Sequence, residues 1–188
     1  MIFGSTAASK EPGRIDSDVL GWMSLRALQE GFMGDVHQEG AGTTEKSEMR
    51  SVVVRGSAAG FAPEVFAGPH RMVADEPVSV GGTDTGPSPY DFLLAALGAC
   101  TSITVGMYAR RKRWPLEEVA VNLRHSKIHA SDCAECETRG GMLDRIELDL
   151  HLGGSLTNEQ RSKLLEIANK CPVHRTLTSE IVIVTRAD

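Results

Sequence analysis

Apolar residues along this chain change their spacing several times, and each change marks an element. Val52, Val53 and Val54 form a short β-branched run. Glu64–Ala67 and Arg71–Ala74 flank Gly68-Pro69, a turn signal, so the pattern predicts a hairpin. Gly81 to Pro87 is a loop by composition. Ser88 then reads as a helix N-cap. Pro89 follows at the first helical position, and Asp91 lies in the first turn, where the helix dipole favours a carboxylate. The helix body, FLLAALGACTSITVGMYARRK, is apolar almost all round, which predicts central burial.

Further on, Val119, Val121 and Leu123 alternate with Ala120, Asn122 and Arg124. Ile146, Leu148, Leu150 and Leu152 alternate with Glu147, Asp149 and His151. Period two in both stretches predicts strands, separated by an insert rich in His and Cys. Thr157 and Gln160 have the spacing of a capping box, opening a helix through Leu164, Leu165, Ile167 and Ala168. That helix ends near Cys171, because Pro172 disfavours helical geometry in the residue before it. Pro172 in turn suits the first turn of a short helix through Leu177. Ile181 to Thr185 predicts a closing β-branched strand. Strands, long helix, strands, two helices and a strand make the class α+β, with a helical core against antiparallel sheet.

Residues 1–49 read differently, and the chain divides into an N-terminal extension over 1–49 and one domain over 50–188. Asp16 to Gly31 can form a helix capped by Ser17 or Asp18, and 34–48 has linker composition. Too few apolar residues lie here for an independent core. The net charge of −5 and the absence of basic clusters beyond Arg110–Arg113 argue against nucleic acid as a partner. The longest uninterrupted apolar stretch, Phe92 to Ala99, falls well short of the ~20 residues that span a bilayer. The N-terminus lacks a basic segment followed by an apolar one. The expectation is a cytoplasmic protein with no membrane partner. In a reducing compartment, four cysteines point to redox or metal chemistry rather than to a static framework.

Cys100 sits mid-helix among Leu93, Ala96, Leu97, Ile103, Thr104 and Met107, and one reading of it is a small core hydrophobe. Cys171 lies at a helix boundary near Lys170, His174 and Arg175, where a thiol can be activated or can simply cap the next helix. Spacing alone does not say whether the two meet. If they do, a thiolate can open a peroxide O–O bond and become a sulfenic acid. The second thiol then condenses with it to a disulfide, and an external thiol restores the pair.

The stretch Gly86–Thr101, GPSPYDFLLAALGACT, resembles the helix carrying the first active cysteine of OsmC-like proteins. Cys171–Leu177, CPVHRTL, resembles the segment carrying the second, and Ala74–Pro77 with Gly81-Gly82 resembles the loop before the helix. The resemblance covers about residues 51 to 186. It implies an OsmC-like fold, with a long buried central helix packed with antiparallel sheets, in a swapped homodimer whose active sites lie at the interface. It implies Cys100 as the peroxidatic thiol, Cys171 as its resolving partner, an organic hydroperoxide as substrate and a dithiol as reductant. The organic hydroperoxide resistance branch places Glu after the proline that opens the helix, where this chain has Tyr90 and then Asp91. It also places an Arg in an early glycine-rich turn, for which Arg55 and Arg71 are the candidates. On this reading Arg55 or Arg71 activates the peroxide and Asp91 orients that cation. Tyr90 and His174 line the substrate site. No organic cofactor is implied, since no phosphate-cradling glycine motif is present.

His125, His129, Cys133 and Cys136 put four residues of ligand type within twelve positions. Three readings stay open: a zinc site, a redox-active Cys-x2-Cys, and a polar insert without either chemistry. They support an alternative function, a non-enzymatic OsmC-like protein that binds a metal or small molecule, with Cys100 buried and inert.

Overall fold

The computed structural model describes residues 51–134, 136–138 and 140–187. The helix and linker expected within 1–49 lie outside the described residues.

Three short strands open the fold: β1 (Val52–Arg55), β2 (Glu64–Ala67) and β3 (His70–Val73). They form one antiparallel sheet in the order β1-β2-β3. The turn at Gly68-Pro69 pairs Ala67 with His70 and sets the β2–β3 register. β1 pairs with β2 from Val52↔Ala67 to Arg55↔Glu64 and is exposed along its whole length.

A loop joins this sheet to the long helix α1 (Pro89–Lys112). The loop is organised around Asp75, whose side chain is buried. Asp75 Oδ1 accepts the Glu76 N–H at 2.8 Å. Oδ2 accepts from Thr83 N (3.0 Å), Thr83 Oγ1 (2.6 Å), Thr85 N (3.0 Å) and Thr85 Oγ1 (2.9 Å). Gly82 is required there, because a Cβ would stand 1.8 Å from the Glu76 carbonyl oxygen. The hydrogen bonds from Thr83, ahead of those from Thr85 and Glu76, hold the Asp75 carboxyl well below the ordinary carboxylate range.

α1 begins as its sequence predicts. The Ser88 hydroxyl accepts the Asp91 N–H, and Asp91 Oδ2 accepts the Ser88 N–H at 2.9 Å, closing a capping box. The helix ends at Arg113, whose φ of 55° is left-handed, after the basic run Arg110–Lys112. Its burial differs from expectation. Leu97, Gly98, Thr101, Thr104, Val105, Tyr108 and Ala109 are buried, whereas Ile103 is 61% exposed. One stripe of α1 is therefore covered within the chain, and an apolar face remains open. By length and composition alone α1 is apolar enough to cross a membrane, a test that the core helix of a soluble protein also meets.

β4 (Glu118–His129) and β5 (Met142–Gly153) form a long antiparallel hairpin, registered from Glu118↔Gly153 to His129↔Met142. Both strands run further than the alternation predicts, because cross-strand pairs such as Lys127↔Asp144 continue the ladder into the expected insert. At the base, Gly154 has φ of 111° and its position abuts the Pro115 carbonyl, so no side chain fits. α2 (Asn158–Ala168) opens with the expected Thr157/Gln160 capping box. Arg161 ties it to β5 by donating to the carbonyls of Leu152 (2.6 Å) and Gly154 (3.0 Å). α3 (Pro172–Leu177) follows, with Cys171 as its N-cap. α1 packs against β4, α2 and α3, and the core lies there around Val105, Leu164 and Ile167. The closing strand expected over 181–185 is not formed: no ladder partner is present for it among the described residues, and Val182 and Ile183 are 81% and 84% exposed.

Candidate active site: a buried dithiol

Cys100 and Cys171 are 71 residues apart in sequence and meet in space. α1 carries Cys100, and the proline-defined break between α2 and α3 turns Cys171 towards it. Both are free thiols. Cys171 is fully buried, while Cys100 is half-buried and thus the more accessible sulfur.

The Cys171 sulfur receives one threonine hydroxyl and one backbone N–H. The buried Thr101 hydroxyl donates to Cys171 Sγ at 3.4 Å, and the His174 N–H donates to the same sulfur at 3.3 Å. The Val173 N–H and the Thr104 hydroxyl lie beside the Cys100 sulfur and favour its thiolate. Burial pushes the Cys100 thiol up from its ordinary value, and the adjacent Cys171 adds to that rise, while the Val173 and Thr104 donors oppose it. Two thiols this close can interconvert with a disulfide once an oxidant reaches one of them. Thr101, Thr104 and Val173 lie outside the predicted set. Thr104 is legible as a neighbour of Cys100 from its spacing of four residues, whereas Thr101, adjacent in sequence, is not marked by helical periodicity.

The other predicted residues have partners of their own. The Arg55 guanidinium sits over the Phe66 ring, 5.6 Å from its centroid. Arg71 is ion-paired with Glu64 across β2 and β3. The Asp91 carboxylate accepts the Ser88 hydroxyl and N–H, which hold its pKa below the ordinary value. Tyr90 stacks on His125, with ring centroids 4.3 Å apart. His174 reaches the dithiol through its backbone N–H.

The second cysteine pair is resolved as a disulfide between Cys133 and Cys136. His125 Nε2 lies 2.9 Å from Asp144 Oδ1, which also accepts from Lys127 Nζ at 2.8 Å. His129 ends β4, opposite Met142. The structure thus does not draw His125, His129, Cys133 and Cys136 into one ligand set. No group of three or more metal-ligating side chains occurs among the described residues. The physical reason is the ladder itself, which draws His125 to Asp144 across the strands.

The architecture is α+β, and it brings two thiols distant in sequence together in the helical core. The family follows from comparison. The family model described as OsmC-like protein matches residues 82–186, more than half of the chain, and the chain belongs to that family. Solved structures share the fold at low identity. An OsmC-like protein from Mycoplasma pneumoniae superposes with a TM-score of 0.55 at 19% identity, covering 70% of this chain and 88% of that one. An organic hydroperoxide resistance protein from Elizabethkingia anophelis gives 0.54 at 19%, covering 71% and 91%. An organic hydroperoxide resistance protein from Legionella pneumophila gives 0.52 at 20%, covering 69% and 89%. A search of curated proteins found no match.

Proposed function

We propose that this protein is a thiol-dependent hydroperoxide reductase, with organic hydroperoxides as its substrate class and oxidative stress defence as its role. The observation that carries the reading is the contact between two reduced thiols from α1 and the α2–α3 junction. Family membership and the hydroperoxide resistance proteins among its structural neighbours support it.

Cys100 is the attacking thiol, because it is the more exposed of the two. Its thiolate takes the distal peroxide oxygen, the O–O bond breaks, and the alkoxide leaves and is protonated to an alcohol. Cys100 becomes a sulfenic acid. The Cys171 sulfur then displaces the hydroxyl as water, forming a Cys100–Cys171 disulfide. A dithiol reductant restores both thiols by exchange. Thr101 and the His174 N–H hold Cys171 in place for the second step.

The cation that polarises the peroxide is supplied in a homodimer, in which Arg55 or Arg71 of one protomer approaches the dithiol of the other. The exposed Val52–Val54, Ile103 and Ile181–Val184 are the apolar surface such an assembly covers. The protein is placed in the cytoplasm, and neither a metal nor an organic cofactor enters the cycle.

The test is a count of free thiols before and after one equivalent of cumene hydroperoxide, with peptide mapping. A Cys100–Cys171 disulfide forming within seconds, and its absence in Cys100→Ser, is the expected result. Unchanged thiols at both positions overturn the reading.

A further inference from the structure

The β4–β5 hairpin tip carries a chemistry that the dithiol leaves unused. The neck of this tip is already closed by backbone: His129 pairs with Met142, the Ala130 N–H donates to the Gly141 carbonyl at 2.9 Å, and buried Ala130 anchors the turn. The Cys133 N–H donates to the Ala130 carbonyl at 3.2 Å, fixing the first cysteine on the 3-10 turn Ala130–Asp132. The Cys133–Cys136 disulfide spans only three positions inside this loop.

A cross-link that closes so short a loop removes little entropy from the unfolded chain, and this one joins no two elements that the ladder does not already join. A staple is therefore a poor account of it. Accessibility suits exchange instead. Both cysteines are half-buried, and Ser131, Asp132, Ala134, Glu137 and Thr138 around them are exposed. The site is also separate from the Cys100–Cys171 pair. Leu123 faces α1 at Gly98, close to Cys100, and the six residues from Leu123 to His129 carry the strand about 20 Å further on.

We propose that Cys133 and Cys136 form a second thiol–disulfide exchange centre, which takes electrons from a dithiol and passes them to accessible disulfides. A thiolate of the donor attacks one of the two sulfurs, giving a mixed disulfide and expelling the other sulfur as a thiolate that takes up a proton. The donor's second thiol then attacks its own mixed disulfide. Cys133 and Cys136 leave as two thiols, and the donor leaves as a disulfide. Two electrons and two protons have moved, and the reverse sequence reduces a target disulfide.

The proposal is independent of the peroxidase reading, and peptide mapping keeps the two apart. The full chain is equilibrated in a series of reduced and oxidised glutathione mixtures, trapped with acid, alkylated and mapped by mass. The Cys133–Cys136 pair is expected to interconvert within minutes and to be half-reduced at an intermediate ratio, in the wild type and in Cys100→Ser alike. The double variant Cys133→Ser/Cys136→Ser is expected to melt within about 5 °C of the wild type. A pair that stays oxidised in every mixture until denaturant is added overturns the proposal. So does a large loss of melting temperature in the double variant, which would make the disulfide a staple.

Discussion

At the residue scale, the hydrogen bonds and burial around the two sulfurs make separate predictions. Burial, with Cys171 alongside, holds the Cys100 thiol above its ordinary value of 9.0, so its reactive thiolate is scarcer at neutral pH than that of a free cysteine. A raised pKa means that the thiolate fraction keeps growing as pH rises past that value. The first-turnover rate with cumene hydroperoxide is therefore expected to climb without a plateau up to about pH 9. A plateau near pH 7 in stopped-flow traces would show that a cation reverses the effect of burial in the assembled protein. Thr101→Val keeps the volume of a fully buried side chain and removes the hydroxyl that donates to Cys171 at 3.4 Å. One such bond contributes about 1 kcal/mol, so closure of the Cys100–Cys171 disulfide should slow roughly fivefold. The sulfenic acid should accumulate in proportion, which a dimedone-type trap reads directly. Sulfenic acid formation itself should be unchanged, because the Thr101 hydroxyl donates to Cys171.

At the element scale, the loop between β3 and α1 is built on one carboxylate and one glycine. Gly82→Ala drives a Cβ into the Glu76 carbonyl at 1.8 Å and should lower the melting temperature by about 5 °C or more, whereas Gly60→Ala meets nothing within 4 Å and should be silent. Acid acts on this loop and on the helices α1 and α2. The folded-state pKa values of Asp75 and Asp91 are depressed, and Glu166 beside Lys170 and Lys163 is lowered to about 2. A depressed carboxylate contributes stability that is present above its unfolded value and is lost as pH falls towards its folded one. The melting temperature should therefore fall steeply below about pH 4.5, with a shallower slope in Asp75→Asn. These elements also divide what the sequence discloses from what it hides. Ser88 with Asp91 and Thr157 with Gln160 are legible because a cap is a bargain struck within three residues. The Gly68-Pro69 turn is legible for the same reason. Asp75 is not, since its donors lie eight and ten positions downstream and nothing near it marks a buried acid. The Cys100–Cys171 contact is likewise tertiary, and only the family resemblance, not the spacing, joined the two. The side-chain contact of His125 with Asp144 across the hairpin is of the same kind, and no ligand spacing reveals it.

At the scale of the whole molecule, the apolar surface is the feature that the single chain leaves unaccounted for. Val52 and Val54 on β1 are 59% and 57% exposed, and Ile181–Val184 extends without a ladder partner. Both edge strands of the β1–β3 sheet lack a further neighbour among the described residues, so a β-branched segment from another copy has backbone groups to pair with. The proposed homodimer accounts for two features at once: the predicted but unformed closing strand and the exposed face of α1. Ile183→Asp puts an unpaired charge into that segment without touching the core, since Ile183 is 84% exposed in the single chain. Burying it in an interface is costly, so the dimer dissociation constant should rise at least about tenfold. In sedimentation velocity the wild type is expected at twice the chain mass and the variant shifted towards one. If the cation crosses the interface, that variant should keep its fold and both free thiols yet lose most of its peroxide turnover. A wild type that sediments as a single chain with full turnover would require the activating group to come from within one protomer.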